Sequence, residues 1–168
     1  PSERWLVSEL RRLEIDVQRV ASGRRWQLPH EIEIAVLHPE PHHFMGSDNA
    51  ASIVLRDEVG GYRLLLPGDL EGMGMERLLG LEPQTVDIAM APHHGSSHSD
   101  PQGYLDWCRP RWCVISGGEA HIDDSWIEAA SERDTQILNT AQDGAIEFRI
   151  TPARIRVTSF LRGDAAPR

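Results

Sequence analysis

The sequence predicts an α/β layer fold, and three observations carry that expectation. Apolar runs of strand length alternate with segments of helical periodicity through the middle of the chain. A Gly60-Gly61 pair joins two strand-like runs as a hairpin, and two further alternating runs flank Thr151-Pro152 near the end. Helices interleaved with strands must pack on a sheet, and the hairpins make that sheet partly antiparallel. At 168 residues the chain makes one domain with a sizeable core, expected over 1–162 with a disordered tail over 163–168.

The elements follow in order. Ser2 is a helix N-cap, and Trp5, Leu6, Leu10 and Leu13 share one face, which predicts a helix over 2–13. Alternation at 15–17 predicts a short strand, followed by a Ser22-Gly23-Arg24 turn. Ile32, Ile34 and Val36 alternate with polar neighbours in a strand over 30–37, and the proline- and histidine-rich stretch after it is a loop. Strands are expected at 52–56 and 62–66, a helix at 71–81, and a short buried strand at 86–91. A helix at 101–108, a strand at 112–116, a helix at 125–133 and a strand at 137–138 come next. Strands at 145–150 and 154–160 close the chain.

Composition narrows the function classes. The net charge of -9 argues against broad adhesion to nucleic acid through a basic footprint, though not against a nuclease whose phosphate contacts run through metals. Every cationic residue is arginine, to which no function is assigned. No stretch approaches the roughly 20 apolar residues that span a bilayer. The opening PSERWLVSEL lacks the pattern of a signal peptide, and without a methionine Pro1 is expected to be an internal cut. Cys108 and Cys113 lack the second cysteine pair of a structural zinc site and are expected as buried free thiols.

The chemistry concentrates in LLLPGDLEGMGMERLLGLEPQTVDIAMAPHHGSSHS, residues 64–99. Asp69 follows one strand-like run and His93-His94 follow the next, so carboxylate oxygen and imidazole nitrogen arrive at one sheet edge, where a metal ion could join them. Asp69 could instead, or also, cap the following helix. Adjacent histidines after a buried strand cannot both enter a core; one can ligate a metal while the other serves as an acid or base. Gly95 allows a sharp turn, and Ser96, Ser97 and Ser99 add hydroxyls to the loop. A solvated loop is the alternative. His30, His38, His42 and His43 read as structural or solvated, whereas His121 follows a strand and could line the same edge.

In this order the motifs resemble the metallo-β-lactamase-fold domain of ComEC-type competence proteins. The stretches that carry the resemblance are Asn49-Ala50-Ala51-Ser52-Ile53-Val54-Leu55, Leu64 to Asp69, Pro92-His93-His94-Gly95-Ser96, Ile115-Ser116-Gly117-Gly118, and Asn139-Thr140 with Asp143-Gly144-Ala145-Ile146. The resemblance implies an αββα sandwich with one or two divalent ions, zinc or manganese, at the sheet edge. It implies Asp69 and either His93 or His94 as metal ligands, with Asp69 and His94 as catalytic residues; Asn49, Ser96, Ser97 and His121 are the expected substrate contacts. The fold's signature His-x-[His/Asp]-x-Asp-His cluster occurs nowhere in the chain. The expected fold is therefore the later part of the domain, with its N-terminal portion and first ligand cluster missing.

The function so implied is metal-dependent phosphodiester hydrolysis of single-stranded DNA linked to DNA uptake, on the extracytoplasmic side and beside the membrane channel portion of a parent protein. A non-catalytic, degenerate binding module is one alternative, and a hydrolase of a small ester, thioester or lactam is another. An incomplete sandwich exposes apolar surface, so self-association of the isolated chain is also expected.

Overall fold

The computed structural model describes residues 3–41, 47–118 and 123–164. The fold is α/β: one face of a mixed seven-stranded sheet carries helices and the other carries a three-stranded sheet. After helix α1 (Glu3–Arg12), strands β1 (Arg25–Leu28), β2 (Ile32–His38), β3 (Val54–Val59) and β4 (Tyr62–Leu66) form an antiparallel half. Gly60 and Gly61, with φ of 57° and 84°, turn β3 into β4; this is the conformation a tight hairpin demands and glycine supplies. Strands β5 (Ile88–Met90), β6 (Trp112–Ile115) and β7 (Gln136–Asn139) extend β4 in parallel, giving the order β1-β2-β3-β4-β5-β6-β7.

The parallel strands are joined by α2 (Gly72–Leu79), α3 (Pro101–Cys108) and α4 (Asp124–Ser131). All three bury residues in one cluster with Leu65, Ala89, Cys113 and Ile115, so they lie on the same face of the sheet. Tyr104 and Trp126 meet edge to face there at 5.9 Å, and the Tyr104 hydroxyl donates to the Met90 carbonyl at 2.8 Å. After α5 (Thr140–Asp143) come β8 (Ile146–Thr151), β9 (Arg154–Ser159) and β10 (Gly163–Asp164), the second sheet. Its Ile146, Phe148, Ile150 and Val157 pack against Ile88, Trp112 and Val114. Strand β6 is thus buried on both faces, as its unbroken apolar run requires.

Two expectations are corrected, and one strand is added. Residues 15–17 form no strand, because three alternating residues find no partner there. The tail expected from Gly163 begins as β10, paired with Ser159 and Thr158 of β9. Strand β1, which pairs with β2 at the sheet edge, was not legible in Arg25-Trp26-Gln27-Leu28. Among the described residues, no helix is long and apolar enough to cross a membrane.

Candidate functional site

Strands β4 to β7 run in parallel, so their carboxyl ends share one edge. Open α/β sheets gather ligands at that edge. Pro67-Gly68-Asp69 follows β4, Pro92-His93-His94-Gly95 follows β5, Ser116-Gly117 follows β6 and Thr140 follows β7. The His93 amide donates to the Gly68 carbonyl at 3.0 Å, which ties the histidine loop to the aspartate loop.

The histidine loop is strained. His93 and His94 both adopt left-handed backbone, with φ of 48° and 56°, before Gly95 at 84°. Such a conformation costs on the order of 1–3 kcal/mol for a non-glycine residue and persists where its surroundings impose it. Here buried Pro92 precedes the turn, and the Ser96 amide closes it onto the His93 carbonyl at 3.0 Å. The turn therefore starts two residues before the glycine expected to make it.

His94 is oriented through its inner nitrogen. Its Nδ1 lies 2.7 Å from the Ser116 carbonyl, which can only accept, so Nδ1 carries the proton and Nε2 of the neutral ring is bare. That bare nitrogen faces Oδ1 of Asp69 at 3.6 Å. Two acceptors facing each other at this range suit a proton or a cation between them. The side chains of His94 and Asp69 are 56% and 49% exposed, so the pair is reachable from solvent. Asp69 does not cap a helix: α2 starts at Gly72, and its cap position is Glu71, whose side chain makes no cap bond.

His93 is held differently. Its Nδ1 donates to Oε2 of Glu71 at 2.9 Å, while the Asn49 amide donates to Oε1 at 2.9 Å. The Asn49 contact, then His93, holds the Glu71 carboxyl below the usual carboxylate range against the opposing effect of burial. Asn49 thus supports Glu71 and has its side-chain nitrogen engaged. Glu71 was missed by sequence reasoning, although its signal was present: Asp69-Leu70-Glu71 places a second carboxylate two residues beyond the first. The turn at Asn49–Ala51 sits close against α2, since a Cβ on Gly74 would collide with the Ala50 carbonyl, standing 2.9 Å from its carbon and nearer still to its oxygen. His38 is structural, buried with Nε2 donating to that same carbonyl at 2.9 Å.

The remaining candidates are less central. The Ser96 hydroxyl accepts from the His98 amide at 3.3 Å, and Ser97 bonds to Asp123 at the start of α4. Both hydroxyls are occupied within the protein. His42, His43 and His121 lie outside the described residues. Cys108 and Cys113 are free and buried, and burial pushes both thiols up.

Asp69 and His94 are chemically suited to zinc or manganese, but they are two donors where a closed or catalytic zinc site uses three or four protein ligands. Among the described residues, no group of three or more His, Cys, Asp or Glu could hold a metal ion.

With this geometry in hand, known proteins supply a relationship. The chain is 27% identical over 154 residues to ComE operon protein 3 of Bacillus subtilis (strain 168), covering 89% of this chain and 20% of that protein. It is 30% identical over 153 residues to competence protein ComA of Neisseria gonorrhoeae, covering 84% of this chain and 22% of that protein. The chain is similar to bacterial competence proteins. It spans about a fifth of the length of these curated relatives. No protein-family model matches it.

Proposed function

We propose that this chain is a metal-dependent hydrolase domain of the metallo-β-lactamase type, acting on single-stranded DNA phosphodiesters during DNA uptake. The observation that carries the reading is the bare Nε2 of His94 facing Asp69 Oδ1 across 3.6 Å at the strand ends. The stacking of helices, a large sheet and a second sheet supports a sandwich reading of the αββα type. The names of the competence relatives support the DNA-uptake setting. In that setting the domain would act on the extracytoplasmic side, beside a membrane channel portion of a longer protein.

Asp69 and His94 would hold a divalent ion, zinc or manganese, which supplies Lewis-acid polarisation of a phosphoryl oxygen. His93 has its Nδ1 proton committed to Glu71, so Nε2 is the atom left to accept a proton from water. The loop 96–99, anchored on the start of α4, would border the substrate.

Titration of Zn2+ or Mn2+ into the chain tests this. One site is expected, weakened at least about tenfold by Asp69→Asn and by His94→Gln, and unchanged by His98→Gln. Cleavage of single-stranded DNA with metal added should fall in the same two variants. Metal binding indifferent to both would overturn the reading. Binding without hydrolysis of DNA or of a small ester would favour a non-catalytic binding module, which the shortage of donors among the described residues supports.

A further inference from the structure

We infer that Thr140 is a positioning residue for His94, acting through the single peptide plane between Ser116 and Gly117. The inference deepens the proposed function and rests on it for the role of His94 Nε2.

The Ser116 carbonyl that accepts the His94 Nδ1 proton and the Gly117 amide belong to the same peptide unit. That amide donates to Thr140 Oγ1 at 3.0 Å, and the Thr140 hydroxyl donates in turn to the Gly117 carbonyl at 3.2 Å. One hydroxyl therefore grips both backbone groups of Gly117. A planar peptide cannot rotate its carbonyl without its amide, so this grip fixes where the Ser116 carbonyl points. Hydrogen bonds in such a chain also polarise one another.

Thr140 is itself fixed. It opens α5, which Asn139 caps by accepting from the Ala141 amide at 2.8 Å. Buried Asp143 accepts from the Asn139 amide at 2.7 Å and pairs with Arg162 at 2.9 Å. The Asn139-Thr140…Asp143 stretch holds no reacting group, and its part is mechanical. It carries β7 to the rim and delivers one hydroxyl to the loop after β6. The consequence lies at His94. With the carbonyl fixed, the ring keeps its proton on Nδ1 and presents Nε2 to Asp69; with it loose, the proton is free to move to Nε2 and block that nitrogen.

The test is nitrogen-15 NMR of the histidine rings in the metal-free chain, with His94 assigned by His94→Gln. The wild type should show His94 in the Nδ1–H form. Thr140→Val, which keeps the shape and removes the hydroxyl, should lower the ratio of Nδ1–H to Nε2–H by about fivefold, the worth of one hydrogen bond. Thr140→Ser should restore it, and His93, held by Glu71, should not change in either variant. A folded Thr140→Val with an unchanged His94 ratio overturns the inference. So does a Thr140→Ser that fails to rescue, or a His93 signal that moves equally. A wild-type His94 protonated on Nε2 would overturn both this inference and the metal reading. An intact tautomer effect without metal-dependent hydrolysis would remove only the hydrolase reading.

Discussion

Replacing Gly74 by alanine puts the link between packing and the rim under direct strain. The added Cβ would stand 2.9 Å from the Ala50 carbonyl carbon and nearer still to its oxygen, backbone atoms that cannot swing aside as a side-chain end would. Helix α2 and the turn at Asn49–Ala51 must therefore separate by roughly 1 Å to reach an ordinary contact. A clash with backbone this close belongs at the upper end of the overpacking range, about 2–3 kcal/mol, and the helix preference of alanine over glycine returns about 1 kcal/mol. The net loss should be about 1–2 kcal/mol, or a fall in melting temperature of about 2–8 °C for a domain of this size. Because Ala50 adjoins Asn49, the same shift should loosen the Asn49–Glu71–His93 chain and broaden the ring signals of His93 more than those of His94. Gly80→Ala is the control: its Cβ would meet the Arg77 and Glu76 carbonyls at 3.4 Å, an ordinary contact. A Gly74→Ala protein as stable as the wild type, with His93 undisturbed, would refute the reasoning.

Other perturbations test separate parts of the molecule. Tyr104→Phe removes the hydroxyl that reaches the Met90 carbonyl and should cost about 1 kcal/mol in denaturant melts; an unchanged midpoint would contradict the contact. Cys108 and Cys113 should resist a thiol reagent at neutral pH while folded and react together in denaturant, since burial raises both thiols. Rapid labelling of the native protein would show the helix face of the sheet to be open. The carboxyls of Glu71, Asp106 and Asp123 are held low, chiefly by Asn49, Arg133 and Ser125 respectively. A lowered folded value stabilises above the ordinary carboxylate range and is lost as pH falls through it. Asp57, raised by burial, works in the opposite direction. Glu71→Gln should therefore make the change of melting temperature on acidification less negative and Asp57→Asn should make it more negative, and shifts of the opposite sense would reverse the sign.

Legibility in the sequence followed the strength of local punctuation. Helix α3 was bounded correctly because Asp100-Pro101 starts it and Arg109-Pro110 stops it, and Asp100 caps it by accepting from Gly103 at 3.0 Å. The Gly60-Gly61 hairpin and the buried run of β6 were plain for similar reasons. Strand β1 was hidden because an edge strand with one covered side chain shows too little alternation. Helix α5, four residues long, is shorter than a helical period can reveal. At the rim, Asp69 and the histidine pair were visible as residue types in a motif. Glu71 was not, because its role depends on Asn49 and His93, each 22 residues away in sequence and joined to it only by folding. Ser116 contributes a carbonyl, a group every residue has, so no side-chain pattern could have marked it.

The burial of β6 on both faces also sets the order in which the molecule loosens. Local opening starts where few apolar contacts resist it and reaches a doubly covered central strand last, so the Cys113 to Ile115 amides should exchange with solvent only on global unfolding. His94 hangs from the carbonyl one residue past that strand, so the group that holds it moves with the sheet although its own ring is exposed. His93 hangs from Glu71 and Asn49, on a short turn outside the sheet, and can be released by a smaller fluctuation. Two neighbouring histidines thus hang from different parts of the molecule, one from the end of the central strand and the other from a single turn and the start of a helix.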